Sequence, residues 1–120
     1  MRPNTIARSL AIGSPADGDL AVSVARVSGG SVHAVAEDEV ADNIALLAET
    51  TGVFGETAPG VTLGALRAAV TSGELGENDR VVLLVTGDGL KTPGVVANRF
   101  DITRVQPDAD QILETLGVQV

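Results

Sequence analysis

The sequence predicts an α/β fold with a mainly parallel sheet, a partial three-layer arrangement with helices flanking the strands. Three observations lead there. Val81-Val82-Leu83-Leu84-Val85 is an unbroken apolar run, the pattern of a strand covered on both faces. Thr86-Gly87-Asp88-Gly89 follows at once, placing a hydroxyl and two glycines at the carboxyl end of that strand, where open α/β sheets present their functional loops. Strand-length apolar segments also alternate with helix-period segments, and no hairpin signal joins neighbouring strands.

Taken in order, residues 5–12 carry Ile6, Ala7, Leu10 and Ala11 at helical spacing, and Gly13-Ser14-Pro15 ends the element. Asp17 or Asp19 can cap a second helix with Leu20, Val24 and Val27 on one face, closed by Ser28-Gly29-Gly30. Residues 31–36, SVHAVA, read as a short strand. Glu37 and Asp38 open the clearest helix, in which Val40, Ile44, Leu47 and Ala48 form the apolar stripe. Glu39, Asp42, Asn43 and Glu49 face elsewhere, and Gly52 closes the helix. After the brief segment Val53-Phe54-Gly55-Glu56, Pro59 leads into a helix over 61–71 with Leu63, Leu66, Ala69 and Val70 inward. Ser72-Gly73 ends it, and an acidic connection over 74–80 delivers the central strand. Beyond Pro93 the pattern gives a turn of helix at Val95-Val96-Ala97, an edge strand over 101–105, and a last helix. Pro107-Asp108 starts that helix, which carries Ile112, Leu113 and Leu116 up to Gly117. No internal repeat or second domain is read.

The 120 residues have the length of one domain, but its interior is built from Ala, Val and Leu with only Phe54 and Phe100 as aromatics. Each buried residue therefore transfers little area, and the core is marginal unless other polypeptide covers it. The formal charge of -8 argues against nucleic acid or an anionic membrane as partner. The absence of cysteine excludes disulfides and thiolate sites. With no signal peptide or membrane span read, the cytoplasm is the expected location.

Among residues able to carry chemistry, Thr86, Gly87 and Gly89 stand at the strand end, followed by Lys91, the only lysine. The spacing departs from a nucleotide phosphate loop. His33 has no second histidine or cysteine nearby and reads as a satisfied or solvent-facing side chain. Asp108 and Asp110 read as helix-capping acids rather than metal ligands, and no metal site is expected.

Several motifs in one order then carry a family resemblance, from about Asn4 to Leu116. Ala11-Ile12-Gly13-Ser14-Pro15 resembles an Ile-Gly-Asn-Pro loop with Ser14 in place of Asn. Gly52-Val53-Phe54 and Glu56-Thr57-Ala58 resemble Gly-Ile-Phe and Glu-Pro-Ala, with Thr57 in place of Pro. Thr86-Gly87-Asp88-Gly89-Leu90-Lys91 resembles Thr-Gly-X-Gly-Leu-Lys, followed here by Thr92 where Asp is usual. The chain thus resembles the carboxyl-terminal portion of threonine synthase, a pyridoxal-phosphate enzyme of the tryptophan-synthase-β group (fold type II). The resemblance implies a cofactor-binding role for Thr86, whose hydroxyl would meet the pyridine nitrogen, with Gly87 beside it and Glu56 at the rim. It implies a parent reaction converting O-phosphohomoserine and water to threonine and phosphate. The family's Schiff-base lysine and its glycine-rich phosphate loop lie upstream of the matching region and have no counterpart in these residues. Lys91 matches a motif lysine that is not the Schiff-base residue. The 120 residues are accordingly expected to be one α/β segment of a larger catalytic domain, inactive alone. The alternative is a small stand-alone α/β module that binds a ligand or protein, with self-association through an exposed sheet edge.

Overall fold

The computed structural model describes residues 2–99 and 103–117. It contains four α-helices: α1 (Gly18–Ser28), α2 (Glu37–Thr51), α3 (Thr57–Thr71) and α4 (Ala109–Leu116). Single turns of 3-10 helix lie at Arg8–Leu10, Gly89–Lys91, Pro93–Val95 and Ala97–Arg99.

The expected parallel sheet is absent among the described residues, which contain no strand and one isolated antiparallel bridge, Gly55 with Asp88. Residues 31–36 and 81–85, both expected as strands, are extended but unpaired. The run expected to be buried on both faces is mostly bare, with Val82 85% and Leu84 69% exposed. An apolar run favours the extended backbone, but a strand exists only when a neighbouring strand accepts from its N–H groups and donates to its C=O groups. Here no neighbour does so. Of the expected edge strand over 101–105, residues 101 and 102 lie outside the described residues, and 103–105 form no strand. The molecule is correspondingly extended, with a radius of gyration of 18.9 Å, against about 13–14 Å for a compact domain of this length.

The helices follow the sequence more closely. The helix expected over 5–12 shrinks to the single turn Arg8–Leu10, which packs on α3 through the part of the chain that buries Ala7. Helix α1 ends at Gly29 in the left-handed region, yet none of its residues is buried. Helix α2 buries Val40, Ile44 and Leu47 as its stripe predicts, and Gly52 closes it at φ 74°. Asn43, expected to face outward, is fully buried: its Oδ1 accepts from Arg67 Nη1 at 2.6 Å, while its Nδ2 has no partner. Helix α3 starts at Thr57, four residues before the expected Val61, because Pro59 sits inside the first turn, where its missing N–H costs nothing. Its buried face is Thr57, Ala58, Pro59, Gly60, Gly64 and Ala69, whereas Val70 is exposed. Helix α4 is capped as its sequence predicts, with the Asp108 carboxylate accepting from Gln111 N–H at 3.0 Å.

The core is the α2–α3 contact. Val40, Ile44 and Val96 are buried together, with Val35, Phe54, Val61 and Val95 packed on them. Arg99 pairs with Asp42 and fastens the 3-10 segment to α2. Two glycines on one face of α3 set the spacing. A Cβ at Gly60 would lie 2.8 Å from Ile44 Cγ1, and one at Gly64 would lie 2.6 Å from Val35 Cγ1 and 2.7 Å from Asn43 Nδ2.

A second tie joins residues 31–36 to the chain after α3. The Glu74 carboxylate accepts from the Ser31 hydroxyl, from Ser72 Oγ at 2.8 Å, and meets His33 Nε2 at 3.2 Å. The Ser31 and Ser72 hydroxyls, then His33, hold the Glu74 carboxyl below its ordinary value of 4.5. The Thr5 hydroxyl and the Ile6 amide do the same for Glu37.

Gly64→Ala should lower stability in urea unfolding by about 1–3 kcal/mol through overpacking; an unchanged midpoint would refute the close contact. Both carboxyl values are lowered on folding, so their contribution is complete above the ordinary carboxylate range and is lost as pH falls through the lowered folded values. Thermal unfolding from pH 7 to pH 3 should therefore lose less stability in Glu37→Gln and Glu74→Gln than in the parent chain. Parallel profiles would contradict these ties.

Candidate functional site

The residues singled out at 56 and 86–87 come from segments about thirty positions apart, and one bridge brings them together. Phe54 C=O accepts from Gly89 N–H at 2.9 Å, and Glu56 N–H donates to Gly87 C=O at 3.0 Å. These two bonds flank the Gly55–Asp88 bridge and lock the glycine loop to the start of α3. Both glycines are demanded by close approach. The Glu56 side chain covers Gly87, with Cγ 2.6 Å from where a Cβ would stand, and the Phe54 ring lies 2.5 Å from the same point on Gly89. The Asp88 carboxylate accepts from Leu90 N–H at 2.8 Å and turns the chain into Gly89–Lys91.

Glu56 is 8% exposed and is the residue before the first turn of α3, where a carboxylate meets the positive end of the helix dipole. Thr86, by contrast, is exposed and stands between the unpaired run and Gly87 in the chain. The structure therefore joins Glu56 to Gly87 and leaves Thr86 at their edge.

Lys91 lies elsewhere. It is exposed and lines a cleft of about 730 Å³ with Arg8, Glu37, Thr92 and Gly94. Nothing in the sequence pattern pointed to this cleft, because its lining comes from three separate stretches of the chain, around Arg8, Glu37 and Lys91. His33 is half-buried and held by Ser31 Oγ at 2.9 Å as well as by Glu74, so it is a satisfied histidine.

The site contains one orphan. Thr57 is fully buried at the first position of α3, and its Oγ1 has no hydrogen-bond partner. Proline, the residue of the resembling Glu-Pro-Ala motif at this place, brings no hydroxyl and suits the first helical turn. Thr57→Val and Thr57→Pro should each raise stability by about 1 kcal/mol in urea unfolding, by removing an unpaired buried hydroxyl and, for proline, unfolded-state freedom. Loss of stability in both would show that the hydroxyl is satisfied.

The described residues fit one edge of pyridoxal phosphate and not the whole molecule. Thr86 offers an accessible neutral hydroxyl for a ring nitrogen, beside a backbone already held by Glu56. The single lysine lies in the separate cleft, and the two glycines that could admit a ligand are already filled by Phe54 and Glu56. Among the described residues no helix is long and apolar enough to cross a membrane.

Comparison with known proteins shows which family the chain matches. The chain is 38% identical to the threonine synthase of Bacillus sp. (strain ULM1) over 112 residues, covering 92% of this chain and 32% of that protein. It is 36% identical to the threonine synthase of Halalkalibacterium halodurans over 110 residues, covering 91% and 31%. With the threonine synthase of Mycobacterium tuberculosis it shares 34% over 117 residues, covering 97% and 32%. The chain thus spans about a third of the length of the curated relatives it matches. The family model described as "Pyridoxal-phosphate dependent enzyme" matches residues 1–87, a span that contains Glu56, Thr86 and Gly87. The chain belongs to the pyridoxal-phosphate dependent enzyme family.

Proposed function

We infer that this chain is the carboxyl-terminal third of a threonine-synthase-like enzyme, supplying one wall of its pyridoxal-phosphate pocket. The reaction would convert O-phosphohomoserine and water to threonine and phosphate in the cytoplasm. The observation that carries this reading is the hydrogen bond from Glu56 N–H to Gly87 C=O, which ties the residue after Thr86 to a buried glutamate within the family-matched span. Bound cofactor supplies the electron sink for the chemistry. The part of this chain is narrower. Thr86 would donate its hydroxyl to the ring nitrogen as a neutral partner, and Gly87 would carry the backbone past the ring edge. Glu56 would hold that backbone in place through its own N–H and its side chain. The remaining functions, a lysine amine and a phosphate cradle, would come from polypeptide corresponding to the unmatched two thirds of the relatives.

The alternative of a self-sufficient binding module is disfavoured by the extended shape and by the bare apolar run over 81–85. A compact module of this length would bury that run.

The reading is tested by replacing the matching third of the Bacillus sp. threonine synthase with this chain and measuring phosphate release from O-phosphohomoserine. The chimera should turn over. Thr86→Val in it should lower kcat by about tenfold, the worth of one good hydrogen bond, and shift the visible band of the bound cofactor. A chimera that folds and holds cofactor but releases no phosphate would overturn the assignment.

A further inference from the structure

Lys91, the chain's only lysine, takes no part in the function proposed above. It lines the cleft of about 730 Å³ together with Arg8 and Glu37, so two cations and one carboxylate, from three stretches of the chain, share one cavity. Opposite charges in one cavity ordinarily close on each other. Here they do not: the ion pairs among the described residues are His33 with Glu74 and Arg99 with Asp42. Neither Arg8 nor Lys91 lies within ion-pairing distance of a described carboxylate, Glu37 included. In a chain with 16 acidic and 8 basic residues, a cleft with two unpaired cations and one carboxylate inverts the overall balance.

Each charge is carried by a backbone that is held locally. Glu37 is the first residue of α2, and its Oε2 accepts from Ile6 N–H at 2.9 Å. That bond and one from the Thr5 hydroxyl fasten the carboxylate to the segment that leads into Arg8. An ionised carboxylate offers about four lone-pair sites, so these two bonds leave it able to accept more. Arg8 opens its own 3-10 turn, with Ala11 N–H donating to its C=O at 3.2 Å. On the other wall, Lys91 N–H donates to Asp88 C=O at 3.2 Å, and Thr92 N–H donates to Gly89 C=O at 3.0 Å. Thr92 Oγ1 is buried and has no partner, so this wall also holds an unmet hydrogen-bonding group.

We propose that this cleft binds a free α-amino acid as its zwitterion, with the ligand carboxylate held by Arg8 and Lys91 and the ligand ammonium by Glu37. The full charged lining selects that chemistry. A plain anion would meet Glu37 as well as the two cations, and a plain amine would meet two cations for one carboxylate. An α-amino acid carries both charges on one carbon and spans the gap that keeps the lining charges apart. Arg8 suits the carboxylate because a guanidinium fork can take both of its oxygens, and Lys91 adds a second charge without fixed geometry. Pro93, Gly94 and Val95 line the same cleft without charge and leave room for a ligand side chain.

The test titrates the isotope-labelled 120-residue chain with L-alanine, acetate and methylamine and follows backbone amide shifts by NMR. L-Alanine should give saturable shifts at Ile6, Arg8, Glu37, Lys91 and Thr92, and acetate and methylamine should each bind at least tenfold more weakly. Arg8→Gln and Lys91→Gln, checked for intact helices by circular dichroism, should each weaken L-alanine at least tenfold. Glu37→Gln should weaken L-alanine and strengthen acetate, an opposite pair of changes that loss of structure would not produce. Acetate binding as tightly as L-alanine would overturn the zwitterion in favour of a plain anion. Unchanged L-alanine affinity in Arg8→Gln and Lys91→Gln would overturn the part given to the cations. In the unaltered chain, an absence of saturable shifts, or shifts confined to residues outside the cleft, would overturn the site whatever the variants do. Thr86→Val should leave the titration unchanged, and loss of the shifts in it would place the ligand at the Thr86 edge and overturn the cleft.

Discussion

The packed part of this chain hangs on how closely α3 can approach α2. Gly60 and Gly64 remove side chains from the face of α3 that meets Val40, Asn43 and Ile44, so backbone and side chain touch where a methyl group would not fit. That approach makes the seat on which Val35 and Val96 pack, and it fixes where α3 begins. The beginning of α3 in turn fixes Glu56, and Glu56 N–H fixes Gly87. A candidate site is thus positioned by a helix pair that adjoins Glu56 and ends well before Gly87 in sequence.

The helix pair was legible because helices are local. The stripe Val40, Ile44, Leu47 announced the buried face of α2, and Gly52, Gly117 and Asp108 announced helix ends. The errors on the helices have a common cause. Asn43 lies on the rotational border of the stripe, and only the Arg67 guanidinium, brought from α3, makes its burial tolerable. Val70 was assigned inward because it is apolar, but α3 meets α2 through its small residues, so the face is chosen by closeness of approach rather than by hydrophobicity. The sheet was the larger error. The run over 81–85 reports correctly on the environment its residues prefer, and that preference says nothing about whether partners are available. The site fared unevenly for the same reason. Thr86 and Gly87 were marked by the strand-end pattern and Glu56 by the motif resemblance, and the hydrogen bond that joins Glu56 to Gly87 could not be read from positions thirty apart. The cleft around Arg8 and Lys91 and the Ser31–His33–Glu74 cluster depend on pairings that no local pattern encodes.

The energetics explain why the strands do not form by themselves. Ordering five residues costs about 5–10 kcal/mol of backbone entropy. Covering the two bare side chains Val82 and Leu84 would return about 3–6 kcal/mol. The shortfall is a few kcal/mol, which about one kcal/mol per ladder hydrogen bond can supply only if neighbouring strands are present along the edges. An apolar layer laid over the run would therefore be insufficient, and strand pairing without that layer would leave Val82 and Leu84 in water. Both are needed together, so layer and ladder are cooperative, and neither is present over 81–85 among the described residues.

That cooperativity reaches the candidate site through a single peptide junction. Gly87 is held from below by Glu56, and its position does not require the run over 81–85 to be paired. Thr86 is attached to the unpaired side of the same junction, so its hydroxyl is only as well directed as the strand that precedes it. Gly87 is thus positioned by the start of α3, whereas Thr86 adjoins the run that has no ladder. In a site where a neutral hydroxyl must meet a ring nitrogen within hydrogen-bond distance, a free strand spreads that hydroxyl over many directions and forfeits most of the bond.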